Sequence, residues 1–186
     1  MSLLRSSLAA TALMLLASAP VAAQQQQPAL VVDLVEDIGR VKGKTTALSE
    51  AMPEDTYAWR PMEGVRSVAE VYKHVISDNY LLAAAAGHPA PESTGIVGTD
   101  YRTAVAYEQR SMSKAEIVEA LRVSFDHLEK AVGATTRENL NADYSVFGMD
   151  MTGRGLWILT VTHLHEHLGQ SIAYARSNGV VPPWSR

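Results

Sequence analysis

Apolar residues recur every three or four positions in four separate segments of the chain. This spacing places them on one face of an α-helix. It predicts a first helix from near Ala29 to Leu48, a second over 68–82, a third over 117–132 and a fourth from about Gly155 to Asn178. Four such helices without an internal repeat predict an all-α fold, a four-helix bundle.

Residues that cap or break helices support these bounds. Ser67 with Glu70, and Ser113 with Glu116, have the spacing of a capping box, in which two orphan amides at a helix start are satisfied. Glycine and proline residues follow the helices: Gly87 and Pro89 the second, Gly133 the third, and Gly179, Pro182 and Pro183 the fourth. Each helix after the first therefore has its own stop signal.

The connections between the helices differ in length. Pro53 and Pro61 bracket a segment that cannot continue the first helix, and Tyr57 and Trp59 within it are predicted to pack on the core. Residues 87–112 form a long connection, which predicts a crossover between parallel helices two and three, or a lid, with a helical piece over 101–110. Residues 139–154 alternate weakly, so a short hairpin and an irregular loop are both open there.

The start of the chain has the three parts of a secretory signal. Arg5 gives the positive start, residues 8–17 are apolar but too few to span a bilayer, and Val21-Ala22-Ala23 is a small-residue cleavage pattern. Cleavage after Ala23 leaves a disordered leader over 24–28 and one domain over 29–186. We expect export to the periplasm or the extracellular space, with no integral membrane segment after cleavage. The alternative is an uncleaved anchor or a buried first helix.

Composition narrows the classes of function. A chain of 186 residues, 47% of them hydrophobic, can bury a core without disulfides or a structural metal, so a bound metal would be functional. The absence of cysteine excludes disulfide scaffolds, cysteine zinc sites and thiol chemistry supplied by the protein. The net charge of -4 gives no basic surface for phosphates, so we expect no nucleic-acid partner.

The fourth predicted helix contains the strongest chemical pattern. His163 and His167 are four residues apart and project from one face, one turn apart, which allows both imidazoles to bind one divalent ion. They belong to a row with Gln170 that lies beside the apolar face, where polar groups must be paired or bind something. The alternative is a hydrogen-bonded or pH-sensitive histidine pair.

A third ligand must come from another helix. His74 is the best candidate, because it lies beside the apolar face of the second helix. Asp78, one turn later, lies on the same face as His74. Asp78 and Gln170 are candidates for the groups that orient the ligand imidazoles, and Asp78 is also a candidate fourth ligand. The remaining histidines are predicted to be uninvolved: His165 on the surface, His88 in a loop and His127 on a helix surface.

Two segments resemble the DinB-like superfamily over nearly the whole mature chain. The first is Trp59-Arg60-Pro61 followed by Ser67, Glu70 and His74; the second runs from His163-x-x-x-His167-Leu168-Gly169-Gln170 to Tyr174-Ala175-Arg176, Gly179 and Pro182-Pro183. The resemblance implies a four-helix bundle with a crossover connection and a divalent-metal site at His74, His163 and His167. Leu168 departs from the family, in which a basic or histidine-rich stretch often precedes the Gly-Gln pair. Some relatives are metal-dependent transferases or isomerases that use low-molecular-weight thiols, and the predicted export argues against such a thiol here.

These observations predict a metal-dependent hydrolase or transferase that acts on an unknown small molecule. Three neutral imidazoles leave a coordination position open for water or substrate, and we expect the ion to be zinc or nickel. Glu166 is the candidate general base, with an ordinary surface carboxylate as the alternative.

Three other interpretations stay open. His163-x-x-Glu166-His167 formally matches the inverted zinc-peptidase motif. A non-catalytic protein of the cell envelope that binds a metal or a small ligand would need the same histidines. In a purely structural protein, the apolar face from Trp157 to Ile172 would form a homodimer interface.

Overall fold

A computed structural model describes residues 27–98 and 100–185. In chain order its helices and strands are α1 (Ala29–Ala51), α2 (Val68–Ala85), α3 (Tyr101–Glu108), α4 (Lys114–Gly133), α5 (Arg137–Asn141), β1 (Asp143–Val146), β2 (Met149–Thr152) and α6 (Gly153–Ser177). The signal peptide predicted over 1–23 and residues 24–26 of the predicted leader lie outside the described residues. Within that described part, no helix is both long and apolar enough to cross a bilayer.

The four long helices form the predicted bundle. α1 packs on α4 and α6, and α2 packs on the same two helices, so that α2 and α6 are neighbours. Lys73 near the start of α2 donates to the carbonyl of Arg110 just before α4, and Asn79 donates to Ser124 further along both helices. α2 and α4 therefore run in the same direction, and the segment that joins them, which contains α3, is a crossover between parallel helices as predicted.

The caps predicted from the sequence are present. Ser67 and Glu70 bond reciprocally at the start of α2, and Ser113 and Glu116 do the same at the start of α4. α6 begins two residues before its predicted start, because Thr152 is its cap and accepts from the amide of Gly155 at 3.2 Å. These caps fix where α2, α4 and α6 begin.

The segment before α6 is more ordered than its sequence indicates. α5 has only five residues, too few for helical periodicity to be visible, and its start is marked by a capping box between Thr136 and Asn139. β1 and β2 form an antiparallel hairpin whose turn residues Phe147 and Gly148 both have positive φ, 55° and 74°. Of the two alternatives left open by the sequence, the hairpin is the correct one.

The core fills the space between the four long helices. Its largest fully buried side chains include Ile38, Tyr72, Leu121, Phe125 and Leu156. Tyr57 and Trp59, in the connection between α1 and α2, pack on the core as predicted. Tyr57 donates to the carbonyl of Ser49 at 2.7 Å, and Trp59 lies edge-on against Tyr174.

Candidate metal centre

Three imidazoles meet between α2 and α6. The ring centroids of His74, His163 and His167 are 4.4 to 5.1 Å apart. One nitrogen from each ring lies within 4.8 Å of the other two. His74 is buried, and the other two rings are half-buried. The sequence predicted that these residues come together, and the fold brings them together by placing α2 beside α6.

Glu108 from the crossover helix holds His74. Nδ1 of His74 lies 2.7 Å from Oε1 of Glu108, and both side chains are buried. Nε of Arg66 donates to the other carboxylate oxygen at 3.0 Å. Burial raises the pKa of Glu108, but the hydrogen bonds from His74 and Arg66 outweigh it and hold that pKa below its ordinary value. Glu108 is therefore ionised at neutral pH.

A second chain of hydrogen bonds holds His167. Its Nδ1 lies 2.8 Å from Oε1 of Gln170, whose amide nitrogen donates to the hydroxyl of Tyr174 at 3.1 Å. That hydroxyl donates to the carbonyl of Arg66. Because Gln170 donates to Tyr174 through its nitrogen, its oxygen is left to accept from His167. Gln170 thus holds the imidazole of His167, which is three residues earlier on α6.

Asp78 lies beside the other two rings without being properly paired. Its Oδ2 is 2.9 Å from Nε2 of His163 and 3.6 Å from Nε2 of His74. The pair formed by Oδ2 and His163 does not have hydrogen-bond geometry. Among the described residues, Nε2 of His163 and the other carboxylate oxygen, Oδ1 of Asp78, are buried and have no partner. Unpaired buried polar groups are costly, and a cation bound by Nε2 of His163 beside the Asp78 carboxylate would offset this cost.

The protonation of His167 suits metal binding. Burial, together with the neighbouring His163, lowers the pKa of His167 from 6.5 to about 4, against the opposing effect of the hydrogen bond to Gln170. His167 is therefore neutral at pH 7, which is the form of imidazole that binds a metal ion.

The other residues singled out in the sequence lie away from the three rings. His165 is exposed and lies 2.8 Å from Asp37 on α1. Glu166 is exposed and is not part of the clusters of potential ligands found among residues 27–98 and 100–185. His127 is half-buried on α4, where its ring packs against Tyr80 with the centroids 5.2 Å apart.

Sequence reasoning missed two residues of the site, Glu108 and Arg66. Both lie outside the long helices, Glu108 at the end of a helix of eight residues and Arg66 in the connection before α2. The available signal was weak: Arg66 directly precedes the cap of α2, and Glu108 lies within the helical piece predicted over 101–110.

Residues 38–171 match the family model of the DinB superfamily. The chain belongs to the DinB superfamily. The match includes His74, His163 and His167, as well as Asp78, Glu108 and Gln170. Family membership and the three-histidine group therefore coincide in one segment of the chain.

Two DinB-like crystal structures share this fold. A DinB-like protein from Bacillus cereus ATCC 10987 aligns with a TM-score of 0.66 and 14% identity, over 81% of this chain and 93% of that one. The DinB-like protein YjoA from Bacillus subtilis aligns with a TM-score of 0.61 and 21% identity, over 80% and 93%. In sequence, the uncharacterized protein YjoA of Bacillus subtilis strain 168 is 26% identical over 137 residues, which are 73% of this chain and 82% of YjoA. The structural similarities establish the fold of this DinB chain.

Proposed function

We propose that this DinB protein is a divalent-metal-dependent enzyme, a hydrolase or a transferase, in which His74, His163 and His167 bind the ion. The observation that supports this most directly is the meeting of three imidazole nitrogens within 4.8 Å. Nδ1 of His74 and Nδ1 of His167 already contact oxygen atoms, which leaves Nε2 of each ring for a ligand.

The residues present fit a divalent ion. Three imidazoles form a common donor set for catalytic zinc, and they also suit nickel. The buried, unpaired atoms of His163 and Asp78 lie where a positive charge would be stabilising. We propose zinc or nickel as the bound ion on this basis.

The chemistry follows from the ion and the residues around it. Held by His74, His163 and His167, a zinc-like ion would supply Lewis acidity, which polarises a carbonyl or lowers the pKa of a water toward about 7. Glu108 and Gln170 hold two of the imidazoles in place, and the Asp78 carboxylate can accept a proton or a hydrogen bond beside His163. Glu166 is exposed next to His167 on α6, and its role as general base stays a prediction.

A polar cavity next to the site supports a small-molecule substrate. It has a volume of about 550 Å³ and is lined in part by Arg60, Arg66, Glu70, Glu108 and Gln170. Glu108 and Gln170 therefore contact both the histidines and this cavity. We propose a small polar substrate rather than a nucleic acid, in keeping with the net charge of -4. Export to the periplasm or beyond is also proposed, on the signal pattern of residues 1–23 alone.

The position of Asp78, whose Oδ2 lies 2.9 Å from Nε2 of His163, suits a second candidate function without catalysis. If Asp78 binds the ion as a fourth ligand, the site becomes four-coordinate and closed, which is the pattern of structural zinc sites. Such a protein would bind a metal or a small ligand in the cell envelope without turnover.

Activity with and without metal separates these two functions. The purified protein is loaded with zinc or nickel, assayed against a panel of hydrolase and thiol-transferase substrates, and then treated with a chelator. The enzyme hypothesis predicts turnover that the chelator abolishes and the ion restores. Stoichiometric metal without turnover on any substrate of the panel favours the binding protein.

A further inference from the structure

Glu108 is the residue of α3, the helix of the crossover, that contacts His74 in the candidate metal centre. It is the last residue of α3, and its side chain is 8% exposed. We propose that Glu108 is a positioning residue that sets the tautomer of His74 and so presents Nε2 to the ion. The part that concerns the ion rests on the proposed function, whereas the part that concerns the tautomer does not.

The chemistry of the carboxylate determines the tautomer. Glu108 forms an ion pair with the Arg66 guanidinium through Oε2, and a carboxylate paired in this way accepts hydrogen bonds and cannot donate one. Oε1 of Glu108 is 2.7 Å from Nδ1 of His74, so Nδ1 must carry the hydrogen. In the neutral ring, the lone pair is then on Nε2, which is on the side of Asp78. A metal-binding histidine generally has its second nitrogen held in this way.

Arg66 fixes Glu108 and links it to the other held ring. The Arg66 guanidinium donates to Oε2 of Glu108 at 3.0 Å, and the Arg66 carbonyl accepts from the hydroxyl of Tyr174 at 3.1 Å. Tyr174 in turn binds Gln170, which contacts His167. One residue of the connection before α2 therefore anchors the groups that orient His74 and His167.

The two rings are held by groups of different character. Gln170 is neutral and lies on the same helix as its histidine, whereas Glu108 is charged and comes from the crossover between α2 and α4. An amide in place of Glu108 could accept from Nδ1 through its oxygen or donate to it through its nitrogen. Glu108→Gln should therefore preserve the shape of the side chain while removing the tautomer preference.

The test is imidazole NMR on the metal-free protein together with zinc titration. Spectra of ¹⁵N-labelled wild type and Glu108→Gln are recorded about two pH units above the ordinary histidine pKa. The wild type should show His74 with hydrogen on Nδ1, and Glu108→Gln should show a mixture or the Nε2–H form. Zinc should bind Glu108→Gln about 10- to 100-fold more weakly. Glu92→Gln makes the same change at an exposed position of the same crossover and should bind zinc within about twofold of wild type.

Each result decides the proposal. A wild-type His74 with hydrogen on Nε2 overturns it without any variant, and so does an unchanged tautomer in Glu108→Gln. Equal loss of zinc affinity in Glu92→Gln and Glu108→Gln also overturns it, because the effect would then be unspecific. If the wild type binds neither zinc nor nickel, the proposed function fails, and the tautomer alone decides whether Glu108 positions His74.

Discussion

At the scale of single residues, each of the three imidazoles has a different neighbour. His74 contacts an ionised carboxylate, His167 contacts an amide, and His163 has a carboxylate nearby that is not aligned with it. The neutral amide provides little compensation for burying a positive charge, so His167 stays neutral down to low pH. A single pKa of this kind has a measurable effect on folding.

The low pKa of His167 predicts that the metal-free protein loses stability in acid. The folded pKa of about 4 is below the ordinary value of 6.5, so between these two values the unfolded chain binds a proton that the folded protein does not. The free energy of unfolding should therefore fall as the pH is lowered through this window. Above the window, His167 is neutral in both states and does not change the free energy of unfolding with pH. Urea unfolding of the wild type and His167→Gln across the window should show the smaller loss in the variant. Equal losses would mean that His167 titrates normally in the folded protein.

Sequence reasoning reached the histidines of this site but not their charged neighbours. His163 and His167 lie at i and i+4 of a long helix, so their common face follows from helix geometry alone. The approach of Glu108 depends on the path of the crossover and on its ion pair with Arg66, and these are tertiary contacts between residues 42 positions apart. No periodicity in the sequence contains that information.

At the scale of helices and strands, the long helices follow from periodicity and capping boxes, whereas α5 and the hairpin do not. Both lie between α4 and α6, where the segments are too short for a period to be visible. The start of α6 is fixed by the Thr152 cap and also by a close contact, because a Cβ at Gly153 would overlap the backbone carbonyl of Asn139 on α5. Gly169, further along α6, has open space around it.

This contrast predicts opposite effects for the same substitution in one helix. Gly169→Ala should stabilise the protein by about 1 kcal/mol, because alanine has the higher helix propensity and nothing obstructs its methyl group. Gly153→Ala should destabilise it by about 1–3 kcal/mol, because α5 must move. The free energy of unfolding from urea titration measures both. A neutral or stabilising Gly153→Ala would show that α5 does not pack against the start of α6 as described.

At the scale of the whole molecule, the candidate metal centre joins separate parts of the chain. His74 comes from α2, His163 and His167 come from α6, and Glu108 comes from the crossover. These segments lie far apart in the sequence and meet only when the bundle is assembled. An ion held there would bind the folded protein in preference to the unfolded chain, and it would therefore stabilise the folded protein.

The most direct test is the metal content of the purified protein and of three histidine variants. After incubation with zinc and removal of excess ion, elemental analysis should find about one ion per chain in the wild type. His163→Ala and His167→Ala should lose the ion while keeping a helical circular dichroism spectrum. His165→Ala, an exposed neighbour on the same helix, should keep it. A wild type without stoichiometric metal, or His163→Ala and His167→Ala variants that retain it, would contradict the three-histidine centre.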